Sequence, residues 1–353
     1  MGLPEIDISF KSLAKSAIER GSRGTVALIL KDNGIFNNPI KIDSIGKIPI
    51  GVNENNTEQI KLALKGGYNA TKEVLAFFIS EEGKIEDVFT KLFNSAWDYL
   101  AIPEITELEK ETVVTQIKHM RDDKHKRVKC ILPNHAADYE GVINFTTDEI
   151  KVGDKTYTTA QYSSRIAGIL ATTPLNISAT YFVLPEVLSV KPYEDPDKSI
   201  DDGELIIIND GEKCKIGRAV NSLVSTREGI SEDWKKIKIV DAMDLMYTDI
   251  RKVYADKYVG KVPNSLDNKM IFITTVNSYF KNLEQEGVLN PGKNTSFINL
   301  GKQKLYINGQ GVDVKNMKEN EILEYNTGSK FFLAGKVSIL DAMEDLYFDV
   351  EVA

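Results

Sequence analysis

The sequence predicts a mixed α/β protein of more than one domain, with a strand-like segment at each end. The length of 353 residues exceeds that of one average domain. Apolar strand-like runs alternate with amphipathic helical runs through the first half of the chain. The last nine residues, DLYFDVEVA, alternate apolar and polar side chains, which is the period-2 pattern of a strand.

Composition narrows the possible classes of protein. With 42% hydrophobic and 27% charged residues, the chain suits a soluble globular protein. A net charge of −8 argues against nucleic acid as the main partner. The first 30 residues lack the pattern of a signal peptide, and no run is apolar enough to span a membrane. Two cysteines, Cys130 and Cys214, predict neither a disulfide framework nor a zinc site, so we expect folding in a reducing cytoplasm without cofactor or metal.

Both ends of the chain carry one apolar face. The side chains on these faces are Ile6, Ile8 and Phe10 at the start, and Leu346, Phe348, Val350 and Val352 at the end. Burial of the four tail residues is worth roughly 6–12 kcal/mol, whereas ordering about ten residues costs on the order of 10–20 kcal/mol. A hydrogen-bonded ladder on a sheet edge must therefore supply the rest. That edge belongs either to the same chain or to a neighbouring chain.

A small α/β domain is predicted for residues 21–95, after an arm of residues 1–20. The run KSLAKSAIERG predicts a short helix that ends at Gly21, and GTVALILKD predicts a buried strand. Then follow a helix in NTEQIKLALKGG with Thr57 as its cap, a strand in EVLAFFIS and a helix in KIEDVFTKLFNS.

A central α/β region is predicted for residues 96–202. The strand WDYLAIP, the helix ELEKETVVTQIKHMRDDKHK and the strand RVKCILPN form a unit typical of parallel sheets. EIKVGDKTYT predicts a hairpin through Gly153–Asp154, and TTAQYSSRIAGILATTP predicts a helix. SATYFVLPEVLSV has the composition of a strand.

A third domain is predicted for residues 203–335, followed by an arm of residues 336–353. It begins with a hairpin that turns at Asp210–Gly211 and continues with long helices near 236–258 and 265–287. Asn308–Gly309 predicts a second hairpin in KLYINGQGVDV, and KFFLAGKVSIL predicts a strand. Gly21, Gly24, Gly328 and Gly335 are candidate hinges beside the two arms.

One residue in the sequence is a candidate for a catalytic role. His135 follows a buried strand, and α/β enzymes place catalytic groups after the carboxyl ends of strands. The sequence contains no nucleophile elbow, no phosphate-binding loop and no dinucleotide-binding glycine motif. We therefore predict no enzyme and no catalytic residue. A soluble α/β hydrolase with His135 as base remains the alternative.

The charges near the two ends differ in sign. Residues 336–353 are acidic and include Asp341, Glu344 and Asp345, whereas residues 11–31 are mostly basic. Such charges can steer the tail of one chain toward the head of another. Ordinary solvated surface is the other explanation.

Three segments resemble one known family. The run KIVDAMDLMYTDIRKVYADKYVGKVPNSLDNKMIFITTVNSYFKNLEQEGVL resembles the C-terminal domain of contractile tail sheath proteins. The likeness is closest to sheaths of defective prophages and R-type bacteriocins of Gram-positive bacteria, including diffocin-like particles. GLPEIDISFKS and DAMEDLYFDVEV resemble the opening and closing segments of that family.

The resemblance implies a structural role. Sheath subunits form hexameric rings stacked helically around an inner tube, and their terminal arms add strands to sheets of neighbouring subunits. Their central domain is subtilisin-like in fold, although this chain lacks the catalytic motifs. The implied partners are other copies of the chain, the inner tube protein, and baseplate and terminator proteins. Assembly would occur in the cytoplasm, before release of an extracellular particle. Two segments are candidates for facing the tube, namely the acidic stretch with Asp341, Glu344 and Asp345, and the helix 265–287.

Overall fold

Residues 17–18, 21, 23–34 and 36–352 are described by a computed structural model of the chain. The chain divides into two units, one of residues 1–20 with 246–340 and the other of residues 21–245 with 341–353. The predicted arm residues Ile6, Ile8 and Phe10 and most of the predicted helix before Gly21 lie outside the described residues.

The larger unit alternates strands and helices. Its first elements are β1 (Thr25–Lys31), β2 (Ile40–Ile42), α1 (Glu54–Leu64), β3 (Glu73–Ile79), α2 (Glu86–Phe93), β4 (Tyr99–Ala101) and α3 (Glu107–Lys118). Next come β5 (Lys129–Pro133), β6 (Val142–Phe145), β7 (Ile150–Val152), β8 (Lys155–Tyr157) and α4 (Thr159–Thr172). The last are α5 (Pro196–Asp201), β9 (Glu204–Leu205), β10 (Ile207–Asn209), β11 (Cys214–Ile216) and the start of α6 (Ile237–Lys257).

Seven strands form one mixed sheet in the order β2-β3-β1-β4-β5-β6-β9. All neighbouring pairs are parallel except the edge pair of β2 and β3. Since β1 pairs with both β3 and β4, the sheet continues across residue 95, where the sequence predicted a domain boundary. Residues 21–95 and 96–202 therefore contribute to one sheet rather than to two separate ones.

Helices cover both faces of this sheet. Successive residues of β1 point to opposite sides, so Leu28 packs in one apolar cluster and Ile29 in the other. Helices α1 and α4 supply residues to the first cluster, and α2 and α3 supply residues to the second. The result is the three-layer arrangement expected of a mostly parallel sheet, whose strands are buried on both sides.

Two local predictions in this unit were wrong. Helix α1 begins at Glu54 instead of near Thr57, because the side chain of Asn53 accepts a hydrogen bond from the Asn56 amide at 2.7 Å and caps the helix. Residues 178–190 form turns and isolated bridges instead of a strand. Pro185 lies within this run and donates no backbone hydrogen bond. Strand β6, a short run in GVINF, was not predicted.

The smaller unit contains the rest of α6, α7 (Leu266–Gln285), β12 (Thr295–Ile298), α8 (Leu300–Gly309), α9 (Glu319–Glu324) and β13 (Leu333–Lys336). The two long helices match their predicted positions. They pack through aromatic side chains, with the ring of Phe272 4.8 Å from that of Tyr258 and 5.2 Å from that of Tyr254. Strands β12 and β13 pair in antiparallel register from Thr295 opposite Lys336 to Ile298 opposite Leu333.

The hairpin predicted at Asn308–Gly309 was wrong, because these residues end helix α8. Asn299 begins that helix, since its side chain accepts a hydrogen bond from the Lys302 amide at 2.9 Å. Gly311 follows the helix with a φ of +82°, a left-handed conformation that glycine adopts without steric cost. The Asn-Gly pair therefore lies in the last turn of the helix, and Gly311 supplies the left-handed residue after it.

Candidate assembly interface

The C-terminal tail leaves the larger unit without joining a sheet. Residues 340–352 belong to no strand, and no other described strand of the chain pairs with them. The apolar side chains of the tail face solvent, with exposed fractions of 88% for Leu346, 79% for Phe348, 63% for Val350 and 93% for Val352. Several exposed apolar side chains within one short segment indicate an interaction site.

The base of the tail is held by polar contacts to the larger unit. Lys236 pairs with Asp341, the hydroxyl of Thr180 donates a 2.6 Å hydrogen bond to Glu344, and Arg218 lies 2.5 Å from Asp345. The hydrogen bond to Asp345 and the nearby charge of Glu344 raise the pKa of Arg218. The three acids predicted as candidates for facing the tube thus contact residues of their own chain.

The tail therefore changes character between Asp345 and Leu346. The side chains of Glu344 and Asp345 are 9% and 56% exposed, whereas those of Leu346 and Tyr347 are 88% and 92% exposed. The two candidate hinges upstream are held in place. Asn264 donates a 2.7 Å hydrogen bond to the carbonyl of Gly328, and Gly335 lies within β13 opposite Ser296.

The entry of the chain into β1 is also fixed by polar contacts. Arg23 follows the segment predicted to form the N-terminal arm, and its guanidinium lies 2.5 Å from Asp241. The amides of Gly24 and Thr25 both donate to Asp98, at 2.8 and 2.9 Å. Gly24, a predicted hinge, has a φ of +108° that favours glycine and is held by this carboxylate.

A buried ionic cluster lies beside this entry, and it was not predicted from sequence. Asp241 accepts a 2.9 Å hydrogen bond from Tyr99 and lies 2.8 Å from Lys129, and Lys129 also pairs with Asp244. Arg121 lies 2.8 Å from Asp244. Burial by itself would raise the pKa of Asp244, but the charges of Lys129 and Arg121 lower it to about 2. The acid spacing in α6 was visible in the sequence, but its cationic partners are more than 100 residues away.

The position of this cluster favours a structural role. Tyr99 and Lys129 are the first residues of β4 and β5, so the cluster lies at the amino ends of the parallel strands. Ligands of open α/β sheets bind at the opposite, carboxyl ends. In this cluster, each of Arg121, Lys129, Asp241 and Asp244 has an oppositely charged partner within 4 Å, which is the usual condition for keeping charges in a protein interior.

His135 lies at the carboxyl end of β5, as predicted, but without the partners of a catalytic base. Its Nε2 is 3.3 Å from a carboxylate oxygen of the exposed Glu111, and its backbone amide donates to Asn144 at 2.6 Å. Burial raises the pKa of the Cys130 thiol, which disfavours the nucleophilic thiolate. Within the described residues, no acid, histidine and cysteine cluster could hold a metal, and no helix could cross a membrane.

An α/β body with an anchored but unpaired apolar tail is typical of a subunit that assembles by strand addition. Comparison with known proteins identifies the family. Residues 80–222 match the phage tail sheath protein central domain, and residues 230–353 match the phage tail sheath C-terminal domain. The tail sheath protein of Clostridium phage phiCD119 is 37% identical over 358 residues, which cover 99% of each chain. The chain belongs to the phage tail sheath protein family, so the resemblance seen in its sequence is confirmed.

More distant relatives share the fold. The phage-like element PBSX protein XkdK of Bacillus subtilis is 25% identical over 73% of this chain and 53% of its own length. The sheath tail protein of Desulfitobacterium hafniense has a TM-score of 0.71 at 16% identity, covering 84% of this chain and 94% of its own. A chain in the anti-feeding prophage baseplate, solved with six-fold symmetry, has a TM-score of 0.65 at 13% identity and covers 100% and 99%. The predicted mixed α/β fold is therefore confirmed.

Proposed function

We propose that this sheath subunit polymerises around an inner tube by exchanging its terminal arms as β-strands, and that contraction of the polymer drives the tube through a target envelope. The observation that carries the proposal is the tail beyond Asp345, which exposes four alternating apolar side chains and has no described strand partner in its own chain. A strand with one apolar face is stable only when a sheet edge receives it.

The two-stranded sheet of β12 and β13 supports the proposal as a receiving sheet. It has two strands, and no further described strand pairs with either outer edge. A sheet of only two strands gains stability from further strands, so strands added from other chains would complete it. Exchange in which the tail of one chain meets the body of the next is heterologous, and it propagates instead of closing into a dimer.

Further features of the proposal follow from the family. The subunits would form hexameric rings and contact inner tube, baseplate and terminator proteins, in an R-type bacteriocin or a phage tail. They would assemble in the cytoplasm and be released within an extracellular particle. The extended polymer would be metastable, and contraction would release free energy through larger interfaces between subunits once a kinetic barrier is crossed.

We propose no enzymatic activity for the chain, since the hydrolase alternative has no support beyond the position of His135. Replacing His135 with alanine separates the two functions. Cylinder formation should be unchanged, because the His135 side chain contacts only Glu111 among the described ion pairs. A hydrolytic activity that is present in the natural protein and absent from the variant would restore the alternative.

Deleting residues 346–353 tests strand exchange directly. The truncation keeps Asp341, Glu344 and Asp345, so the contacts at the base of the tail remain. We expect a folded chain that forms no hollow cylinders in negative-stain electron microscopy, whereas the full-length chain forms them. Cylinders from the truncated chain, or its global unfolding, would contradict the proposal.

A further inference from the structure

The start of helix α6 contacts both ends of the larger unit. Lys236 directly precedes the helix and pairs with Asp341 at the base of the C-terminal tail. Asp241, in the second turn, pairs at 2.5 Å with Arg23, where the chain arrives from the N-terminal segment. Residues separated by more than 300 positions in sequence are thus held by side chains five positions apart.

This short segment is itself firmly placed in the larger unit. The Ile237 amide donates to the carbonyl of Ala219 at 3.1 Å, and the side chains of Ile237 and Val240 are buried. The Asp241 carboxylate also accepts a hydrogen bond from the hydroxyl of Tyr99 and forms an ion pair with the ammonium of Lys129. A segment with so many buried contacts behaves as a rigid support rather than as a flexible loop.

We propose that residues 236–241 form a shared anchor that positions the bases of both arms. The inference rests on the proposed function, in which the two arms connect neighbouring subunits. A force on either arm then reaches the larger unit through this one short segment. Any shift of residues 236–241 displaces Arg23 and Asp341 together, so the two arms respond as a coupled pair.

Hydrogen exchange of the full-length, unassembled protein tests the shared anchor. Lys236→Gln removes the pair with Asp341, and a partly exposed ion pair of this kind changes a local opening equilibrium by about two- to fivefold. We expect exchange to accelerate by that factor at the Ala342 amide, which donates to the Asp341 carboxylate at 2.8 Å, and, by coupling, at the amides of Gly24 and Thr25. Lys235→Gln is the matched control, because Lys235 pairs with the exposed Glu232 and contacts neither arm base.

The reciprocal variant completes the test. Arg23→Gln removes the pair with Asp241 and should accelerate exchange at Gly24 and Thr25 and also at Ala342. Lys236→Arg keeps a cation opposite Asp341 and should leave the natural rates unchanged. Acceleration confined to the end that carries the substitution would overturn the shared anchor. Because the measurement uses unassembled protein, it is independent of cylinder formation, which tests the proposed function separately.

Discussion

The ammonium of Lys129 lies 2.8 Å from Oδ1 of Asp241, which joins the first residue of β5 to the second turn of α6. Both side chains are almost completely buried, at 4% and 6% exposure. Charges removed from water are tolerated only while each keeps its partner, so the loss of one member leaves an uncompensated charge in the interior. The cluster therefore ties the start of α6 to the amino ends of β4 and β5.

Replacing Asp244 with asparagine should destabilise the protein by about 3–5 kcal/mol, the usual cost of breaking a buried ion pair. Arg121 and Lys129 would then share fewer negative charges. Urea unfolding followed by circular dichroism measures the change. Asp256→Asn is the control, since Asp256 lies exposed in the same helix and should change stability by less than about 0.5 kcal/mol. Equal effects of the two substitutions would contradict the assigned role of the cluster.

Low pH should reduce the free energy of unfolding of the protein, in part because Asp244 becomes protonated. Its pKa is about 2 in the folded chain, below the ordinary value of 3.8. The ionised Asp244 carboxylate therefore contributes its full stabilisation of the folded state above about pH 4, and this contribution is lost as the pH falls through 2. The difference corresponds to about 2 kcal/mol. Urea titrations between pH 5 and pH 2 should show the gap in unfolding free energy between the natural chain and Asp244→Asn narrowing by that amount. A constant gap over the same range would show that Asp244 does not titrate in this way.

Gly168→Ala should destabilise the larger unit by about 1–3 kcal/mol through overpacking. A Cβ atom at this position of α4 would lie 2.5 Å from the carbonyl oxygen of Ala63 in α1, which is closer than atoms can approach. Thermal unfolding measures the effect. Gly309→Ala is the matched control, because a Cβ at that helical position meets no atom within 4 Å. The control should leave stability unchanged or raise it slightly, since alanine favours helix more than glycine does.

The two faces of the tail should differ in their importance for assembly. Serine at Leu346, Phe348, Val350 and Val352 should abolish cylinders without lowering the unfolding temperature, because these side chains are already exposed in the isolated chain. Serine at Tyr347, Asp349 and Glu351 changes the opposite face of the predicted strand and should leave assembly largely intact. Sedimentation and negative-stain microscopy compare the two variants. Loss of assembly in both would argue against a strand with one buried face.

Periodicity predicted most of the fold because most elements have strong local patterns. The buried run of β1 and the amphipathic repeats of α6 and α7 lie where the sequence places them. Failures occurred where two structures share one local signal. Asn308–Gly309 is favourable both in a hairpin and at the end of a helix, and the capping side chain of Asn299 decided between them. The single sheet across residue 95 depends on pairing between distant strands, which periodicity does not encode.

The candidate site was predictable in its chemistry but not in its contacts. The alternation of Leu346 with Tyr347 and of Phe348 with Asp349 showed one apolar face. It could not show whether the chain itself covers that face. The acids Asp341 and Glu344 gave a charge pattern that fits several surfaces. Only the fold shows that Lys236 pairs with Asp341 and that the hydroxyl of Thr180 donates a hydrogen bond to Glu344.

The exposure of the tail sets a condition on how the protein is handled. The side chains of Leu346, Phe348 and Val352 are each more than three-quarters exposed, so every unassembled copy has an exposed apolar tail that can associate with other chains. At high concentration such tails aggregate non-specifically unless they first pair with the sheet of a neighbouring subunit in a growing polymer. Purified protein that has no growing polymer to join should therefore have a low maximum solubility. Removing the last few residues of the C-terminal tail should raise that solubility.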